Sequence, residues 1–269
     1  MEGWSVPNQV TAMTEHVLVK DDAGVRQITL ARPDKKNALT QAMYAAVIAA
    51  LEQGDSDPTV RVFVITAQGR AFTSGNDLAD FAAAPTREAG SPSPAQRFPV
   101  VLTETRKPII AAVNGPAVGV GVTLLLQCDL VYAAQTATFW TPFVDLALVP
   151  EGASSLLMPA ALGKARCNTL LLLGETWTAQ DALDAGLISG VMPADALLDS
   201  VMARARALAA KAPGAVRATK ALIGADQPAV LDRIRLAGIV FGERLPSPEF
   251  KEAATAFRMR RPADFSRFE

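Results

Sequence analysis

Histidine is almost missing from this chain, since His16 is the only histidine among 269 residues. Serine and cysteine hydrolases of the triad type need a histidine base, so one histidine near the start argues against both classes. We expect His16 to be structural or solvated. Cysteine is scarce as well. Cys128 and Cys167 lack the CxxC spacing of zinc sites, and neither a metal site nor a disulfide framework is predicted.

Excess charge of either sign is also absent, because the chain has 26 Lys and Arg residues and 27 Asp and Glu residues, which gives a formal net charge of −1. Binding nucleic acid through phosphates requires a broad basic excess, so this balance argues against a nucleic-acid partner. No apolar run reaches the length of a membrane span, and residues 1–16 contain no signal-peptide core. Residues 267–269 are not a peroxisomal signal. The sequence therefore predicts a cytoplasmic protein without a membrane partner.

Motifs of several common enzyme classes are missing. The chain has no Walker A, HExxH or GxSxG motif. Gly119-Val120-Gly121 begins like a dinucleotide-binding fingerprint, but Leu124 stands where the third glycine belongs. We therefore set the dinucleotide-binding interpretation aside.

What the chain does contain is an alternation of short strands and helices, which predicts an α/β fold around a buried sheet. Its 50% hydrophobic content is sufficient for one large core. Strands are predicted at residues 17–20, 27–31, 60–67, 109–113, 130–133 and 187–191. Helices are predicted at residues 41–53 and 178–186 and from residue 195 onward, where Pro213 and Pro228 divide the helical pattern. Residues 82–99 are rich in Ala, Pro and Ser and predict a mobile loop.

The most informative acidic residue is Glu151, which ends the apolar run of residues 142–151. A carboxylate between apolar neighbours tends toward a raised pKa, which suits a base that takes and returns a proton near neutral pH. The alternative is a surface glutamate in the first turn of a helix opened by residues 152–155, where the helix dipole favours negative charge. Asp145, the other acid nearby, is predicted to be structural.

Two glycine-rich turns each join a predicted strand to a predicted helix. In the first, residues 71–78, a glycine permits a tight turn and Ser74 with Asp77 has the spacing of a helix start. Free amide groups should therefore gather at Asn76. The second turn comprises residues 114–121. Two such turns can offer two N–H donors to one oxygen, as an oxyanion hole does. Each turn alone is also compatible with an ordinary strand-to-helix connection.

Taken together, these segments resemble the enoyl-CoA hydratase/isomerase family, also called the crotonase superfamily. The likeness begins at residues 28–39, continues through both glycine turns and ends in a basic helix near the C-terminus. The resemblance implies a crotonase-like ββα spiral core at residues 12–200 with an acyl-CoA site, and an all-helical trimerisation region at residues 201–269. It also implies a homotrimer, or a hexamer built as a dimer of trimers.

The same resemblance assigns the oxyanion hole to the backbone amides of Asn76 and Val120. At the two positions where hydratases of the family carry glutamates, this chain has Thr123 and Phe143. The carboxylates that hold and activate water are therefore missing. Glu151 matches the single catalytic glutamate of the family's Δ3,Δ2-enoyl-CoA isomerases.

Further substrate contacts follow from the resemblance. Phe257 and Arg260 match an end motif in which an aromatic ring and a base reach the nucleotide part of CoA, often in a neighbouring subunit. A solvated helix end is the alternative interpretation of this basic segment. The predicted substrate-binding residues are Arg32, Ala71, Ser74, Asp77, Leu78, Gly119, Thr123, Phe143, Phe257 and Arg260.

The resemblance predicts an enzyme that moves the double bond of a 3-enoyl-CoA to the conjugated 2-position. No metal and no organic cofactor are expected besides the CoA of the substrate. The alternatives are another crotonase-type enzyme, such as a ring acyl-CoA isomerase, a hydratase or a thioester hydrolase, and a non-catalytic acyl-CoA-binding protein.

Overall fold

The computed structural model describes residues 10–77, 79–80, 92–224 and 226–268. Leu78, one of the predicted substrate-binding residues, lies outside the described residues. So do residues 82–91, which make up the first part of the predicted mobile loop.

A seven-stranded sheet in the order β1-β2-β3-β4-β5-β7-β10 forms the centre of the molecule. β1 pairs with β2 and β2 with β3 in antiparallel fashion, whereas each of the remaining neighbours is parallel. The strands are β1 (Val10–Thr14), β2 (Val17–Asp22), β3 (Val25–Leu30), β4 (Val62–Ala67), β5 (Ile109–Val113), β7 (Leu130–Ala134) and β10 (Gly190–Met192). The predicted α/β fold is thus confirmed.

The two central strands are buried on both faces. In β4, Phe63 and Ile65 face the larger core cluster while Val62 and Val64 face a second cluster on the other side of the sheet. This explains the continuous apolar run, because every residue of a strand covered on both faces leaves water. The same alternation holds in β5.

The strand predicted at residues 187–191 starts later in the structure, as β10 (Gly190–Met192). Gly186 ends the preceding helix in the left-handed conformation, with φ of 85°, and the N–H groups of Leu187 and Ile188 return to the carbonyl of Ala182. Those amides are used in the helix cap, so the strand begins only at Gly190.

Helices separate and follow the strands in the described part of the chain. Within the described residues they are α1 (Gln41–Ser56), α2 (Pro94–Glu104), α3 (Val120–Thr123), α4 (Ser154–Leu162), α5 (Lys164–Leu171), α6 (Ala179–Ala185), α7 (Leu197–Ala209), α8 (Pro213–Ile223), α9 (Gln227–Arg244) and α10 (Pro248–Met259). Pro213 and Pro228 lie in the first turns of α8 and α9, where proline costs no hydrogen bond. The predicted helical C-terminal region is confirmed. The division between residues 200 and 201 stays a prediction.

The loop predicted at residues 82–99 was wrong for its last part, because residues 94–99 belong to α2. Ser93 and Gln96 form a capping box, in which each side chain accepts a hydrogen bond from the other residue's backbone amide. Phe98 and Leu102 bury the apolar face of the helix. That face continues beyond residue 99, where the composition-based prediction stopped.

A small second sheet in the order β6-β8-β9 supports the second glycine turn. It consists of β6 (Ala117–Val118), β8 (Thr138–Trp140) and β9 (Trp177–Thr178). None of the three strands was predicted from the sequence. No helix within the described ranges is long and apolar enough to cross a bilayer.

Candidate active site

Both glycine turns leave the same edge of the central sheet. β4 ends at Ala67 and leads to the first turn, and β5 ends at Val113 and leads to the second. Because β4 and β5 are parallel neighbours, their carboxyl ends lie side by side, which is where ligands commonly bind in α/β sheets. The topology therefore brings two distant segments of the chain to one place.

Asn37, which is fully buried, fixes the first turn through side-chain and backbone hydrogen bonds. Its side-chain amide donates to the carbonyls of Gln68 and Ala71, both at 2.8 Å. The carbonyl of Asn37 accepts a 2.7 Å hydrogen bond from the Thr73 hydroxyl, which itself accepts from the N–H of Gly75 at 3.1 Å. Ala71 is thus bound to Asn37 through its backbone carbonyl.

The helix start predicted at Ser74 was wrong. The Ser74 hydroxyl lies 3.4 Å from the carbonyl of Lys35, whereas Asp77 caps the next turn by accepting from the amides of Ala79 and Asp80 at 3.0 and 3.1 Å. The cap is displaced because Asn76 forms an isolated parallel bridge with Leu39, which uses the carbonyl of Gly75 and the N–H of Asp77. The Asn76 N–H nevertheless has no hydrogen-bond partner among the described residues.

The second turn packs directly on the first. The N–H of Val118 donates to the carbonyl of Thr73 at 3.0 Å, and a Cβ added to Gly75 would lie 3.2 Å from the carbonyl oxygen of Val118. A Cβ at Gly121 would lie only 2.5 Å from Cγ2 of Thr73, so glycine is required for this close approach.

The amide of Val120 begins α3. Gly119, with φ of 57°, precedes it, and the Gly119 carbonyl accepts from Val122 and Thr123 farther along the helix. The Val120 N–H itself has no hydrogen-bond partner in the described part of the chain. The structure therefore brings together two turns that each present one uncommitted backbone donor.

Glu151 lies in the loop between β8 and α4, and its side chain is half-buried. One carboxylate oxygen accepts a hydrogen bond from the hydroxyl of Thr123, which is 1% exposed. Burial raises the pKa of Glu151 above its ordinary value, and the hydrogen bond from Thr123 opposes that rise. The alternative of a surface glutamate in the first turn of a helix was wrong, because α4 begins only at Ser154.

The backbone around Glu151 is fixed by several hydrogen bonds. Gln127 donates from its side chain to the carbonyl of Gly152 at 2.9 Å, and the Ser154 hydroxyl donates to the carbonyl of Glu151 at 2.6 Å. Gly152 and Ala153 both have positive φ, at 63° and 62°. Gln127 was missed in the sequence, where no local pattern distinguishes it from other polar residues in helices.

The two positions at which the resemblance places the hydratase carboxylates carry a threonine and a phenylalanine. Thr123 contacts Glu151, as described, and Phe143 is 7% exposed. The carbonyl of Phe143 accepts from the amides of Leu146 and Leu148, which closes the turn before Glu151. Glu151 is thus the carboxylate that these elements bring toward the second glycine turn.

Known proteins resemble the chain over nearly its whole length. The family model described as enoyl-CoA hydratase/isomerase matches residues 20–267. The chain belongs to the enoyl-CoA hydratase/isomerase family.

Solved and curated members of the enoyl-CoA hydratase/isomerase family agree with this assignment. An enoyl-CoA hydratase/isomerase from Pseudoalteromonas atlantica T6c has a TM-score of 0.90 and 42% identity over 93% of this chain and all of that chain. Enoyl-CoA delta isomerase 2 of Rattus norvegicus is 40% identical over 214 residues, which are 77% of this chain and 54% of the relative. The chain thus spans about half the length of that relative. The 1,2-epoxyphenylacetyl-CoA isomerase of Escherichia coli (strain K12) is 34% identical over 94% of this chain and 99% of the relative.

In this member of the enoyl-CoA hydratase/isomerase family, Arg32 and Asp77 form an ion pair at 2.6 Å. Arg32 also donates to the carbonyl of Ala38 at 3.1 Å. The hydrogen bond from Arg32 lowers the pKa of Asp77, so the carboxylate stays charged. The pair fastens the segment after β3 to the first glycine turn.

Phe257 and Arg260 lie apart from these contacts, at the end of α10. Phe257 is 63% exposed and Arg260 caps the helix in the left-handed conformation. Among the described residues, no hydrogen bond or ion pair joins either side chain to the glycine turns or to Glu151.

Asp145, the other acidic residue near Glu151 in the sequence, is exposed. Its Oδ2 lies close to Gly174, at 2.6 Å from the position that a Cβ added to this glycine would occupy.

Tyr44 is a further residue at the site that the sequence did not single out. Its hydroxyl donates to the side-chain oxygen of Asn76, and its ring packs on Phe98 with 5.2 Å between centroids. Burial, and then the charge of Glu151, raise the pKa of Tyr44 well above its ordinary value.

In the described residues, no group of three or more His, Cys, Asp or Glu side chains is placed to hold a metal ion.

Proposed function

We propose that this protein is an enoyl-CoA isomerase that converts a 3-enoyl-CoA to the conjugated 2-enoyl-CoA. Glu151 is the proton carrier, and the backbone amides of Asn76 and Val120 form the oxyanion hole. The observation that carries this proposal is the half-buried Glu151 beside Thr123, with Thr123 and Phe143 standing where hydratases of the family have carboxylates.

The reaction requires one base and one anion-stabilising site. The C2 protons of a 3-enoyl thioester are acidic because they lie between a carbonyl and an alkene. Their removal places negative charge on the thioester oxygen, which two backbone N–H donors can stabilise. Glu151 then returns the proton to C4, and the double bond moves into conjugation with the carbonyl. No water enters the product, and the proposed reaction needs no metal or organic cofactor.

The raised pKa of Glu151 suits this double role. A carboxyl group with an ordinary pKa is a weak base, and after taking a proton it loses the proton readily to water. Burial makes the carboxylate a stronger base and shields the proton between the two steps. General acid–base catalysis of this kind is worth about 10²–10⁴-fold in rate.

The CoA part of the substrate is proposed to contact the end of α10. Phe257 offers a ring for stacking on the adenine, and Arg260 a cation for the phosphates. Exposed apolar residues on the three last helices support a homotrimer or a hexamer in which a neighbouring subunit supplies these contacts. They are Leu222, Ile223, Leu236, Ile239, Phe257 and Met259.

The first experiment follows the absorbance of the conjugated 2-enoyl thioester that forms from a 3-enoyl-CoA. We expect the wild type to be active and Glu151→Gln to lose at least about 10²-fold in kcat, since the amide cannot accept the proton. Glu175→Gln is the matched control, because Glu175 is an exposed glutamate in another loop. Wild-type activity that survives Glu151→Gln would contradict the assignment of the base.

Ring acyl-CoA isomerisation is the second candidate. It is favoured by the near-complete overlap with the 1,2-epoxyphenylacetyl-CoA isomerase, and it would use the same acid and oxyanion hole. Parallel assays with an aromatic ring-epoxide CoA thioester and with a 2-enoyl-CoA plus water separate the three reaction types. A protein that hydrates the 2-enoyl-CoA and leaves the 3-enoyl-CoA unchanged would overturn the isomerase proposal.

A further inference from the structure

Tyr44 is a buried polar side chain in the first turn of α1, and the proposed proton transfer does not use it. The residue is 2% exposed. Its ring packs against Phe98 of α2 with an interplanar angle of 59°, which leaves the hydroxyl aimed at the first glycine turn. There it donates a hydrogen bond of 2.5 Å to Oδ1 of Asn76.

The backbone N–H of Asn76 has no hydrogen-bond partner among the described residues, which leaves it available to the substrate. The peptide groups on either side are fixed by Leu39, whose N–H donates to Gly75 and whose carbonyl accepts from Asp77. The hydrogen bond from Tyr44 is the one side-chain hydrogen bond of Asn76 among the described residues. This hydrogen bond fixes the Asn76 side chain, which is attached to the same residue as the backbone N–H proposed for the oxyanion hole.

The two hydroxyl groups at the site serve different partners. The Thr123 hydroxyl donates to the carboxylate of Glu151, whereas the Tyr44 hydroxyl donates to Asn76. Burial and the nearby charge of Glu151 both disfavour ionisation of Tyr44. Both effects favour the protonated phenol, which is the form that donates the hydrogen bond to Asn76.

We propose that Tyr44 is a positioning residue of the oxyanion hole, which acts through the Asn76 side chain to aim the Asn76 N–H at the thioester oxygen. The proposal rests on the proposed function of that amide. An oxyanion donor has to lie about 2.7–3.1 Å from the developing oxyanion, so a small rotation of this peptide weakens the stabilisation.

The test uses Tyr44→Phe, which keeps the ring on Phe98 and removes only the hydroxyl. Tyr132→Phe is the matched control, because Tyr132 is the other tyrosine of the chain. It lies on β7, where the guanidinium of Arg204 covers its ring. The first readout is kcat and KM with a 3-enoyl-CoA. The second is the enolate absorbance of bound acetoacetyl-CoA, a 3-ketoacyl thioester that enolises without being isomerised.

For Tyr44→Phe we expect about a tenfold loss in kcat, little change in KM, and a matching fall in the ratio of bound enolate to ketone. This is the size of effect expected when one neutral hydrogen bond is lost. Tyr132→Phe should match the wild type in both readouts. An enolate ratio in Tyr44→Phe equal to that of the wild type would overturn the proposal.

Asn76→Ala supplies a second variant, since it keeps the backbone N–H and removes the acceptor of the Tyr44 hydrogen bond. If Tyr44 acts through this side chain, the double variant loses no more than either single variant. Losses that multiply would overturn the proposal. Asn76→Ala also keeps the test decisive if Tyr44→Phe fails to fold, because it must then show the lowered enolate ratio alone.

The two readouts separate this proposal from the proposed function. A wild type that stabilises bound enolate but does not isomerise 3-enoyl-CoA removes the isomerase function and leaves the role of Tyr44 to be decided by the enolate ratio. A wild type that isomerises, with Tyr44→Phe equal to it, removes only the role of Tyr44. A wild type that neither isomerises nor stabilises enolate overturns both.

Discussion

At the scale of single residues, two hydroxyl groups contact the residues proposed for the chemistry: the Tyr44 hydroxyl contacts Asn76, and the Thr123 hydroxyl contacts Glu151. Thr123 hydrogen-bonds the carboxylate of Glu151 and thereby limits the rise in its pKa that burial produces. A carboxyl group that was buried without any donor would remain protonated over a wider range of pH and could not act as the proposed base in that range. The threonine therefore does more than fill the space of a missing glutamate.

Thr123→Val should move the pH dependence of the enzyme in a defined direction. The variant removes the contact that lowers the pKa of Glu151 and leaves the burial that raises it, so the pKa rises further. Because the reaction needs the ionised carboxylate, the acidic limb of the kcat/KM profile should shift to higher pH. The measurement is kcat/KM between about pH 5 and 9.

Thr105→Val is the control for that experiment. Thr105 is also buried, but its hydroxyl donates to the carbonyl of Val101 within α2, away from the carboxylate. Its profile should keep the acidic limb of the wild type. An unmoved limb in Thr123→Val would show that the hydroxyl has no effect on the base.

At the scale of secondary-structure elements, the loop that carries Glu151 is fastened to α2 through one glutamine. The Thr103 hydroxyl of α2 lies 2.9 Å from the side-chain oxygen of Gln127 and 2.8 Å from the carbonyl of Pro99, and it shares its proton between these two acceptors. The side-chain nitrogen of Gln127 donates to the carbonyl of Gly152. Two consecutive residues after Glu151 have positive φ. A short irregular loop of this kind holds its shape only where neighbouring elements fix it.

Gln127→Met should reduce kcat by about fivefold, because the loop loses a hydrogen bond worth about 1 kcal/mol and Glu151 is less well positioned. The thermal unfolding temperature should change little, since Gln127 is half-buried and methionine has a similar volume. Steady-state kinetics and thermal unfolding together provide the check. The control is Gln53→Met, at an exposed position of α1. Equal kcat values in Gln127→Met and Gln53→Met would show that the Gln127 hydrogen bond does not position the loop that carries Glu151.

At the scale of the whole molecule, the C-terminal helices are linked both to the site and to the end of the chain. Arg244 of α9 donates to the carbonyl of Ala147 in the loop before Glu151 and forms an ion pair with Glu249 of α10. Glu252 of α10 is 7% exposed and accepts hydrogen bonds from Arg261 and Arg267. Residues beyond α10 are thereby fixed against the helix that carries Phe257.

The Glu252 cluster predicts a loss of stability in acid. Hydrogen bonds from Arg261 and from the Asp264 amide, with the charges of Arg261 and Arg267, lower the pKa of Glu252 to about 2 from an ordinary 4.5. Because the folded pKa is the lower one, the stabilisation is complete above pH 4.5 and is lost as the pH falls toward 2. Glu252→Gln should therefore be less stable than the wild type at neutral pH, and the difference should shrink in acid.

Urea unfolding of both proteins between about pH 7 and 3 measures this difference directly. Glu175→Gln again serves as the control, since Glu175 is exposed. A Glu252→Gln deficit that stays constant across this pH range would show that the loss is due to packing and not to charge.

Parts of the fold could be predicted wherever the sequence pattern is long enough to be read. The central strand β4 is continuously apolar, and α1 and α7 show helical spacing over many residues. The small sheet escaped prediction because β6 and β9 contain two residues each, too few to show a period. The helix start at Ser74 failed for another reason, since pairing with Leu39 overrode the local cap signal.

The sequence by itself determined the family, the alternation of strands and helices around a buried sheet, and the carboxylate of Glu151 at the end of an apolar run. Each of these follows from residues that are close together in the chain. Only the tertiary structure decided which side chains contact Asn76 and Glu151. Tyr44 lies 32 residues before Asn76, and Thr123 lies 28 residues before Glu151. Hydrogen bonds over such separations depend on how helices and loops pack on the sheet, and no local pattern encodes that packing.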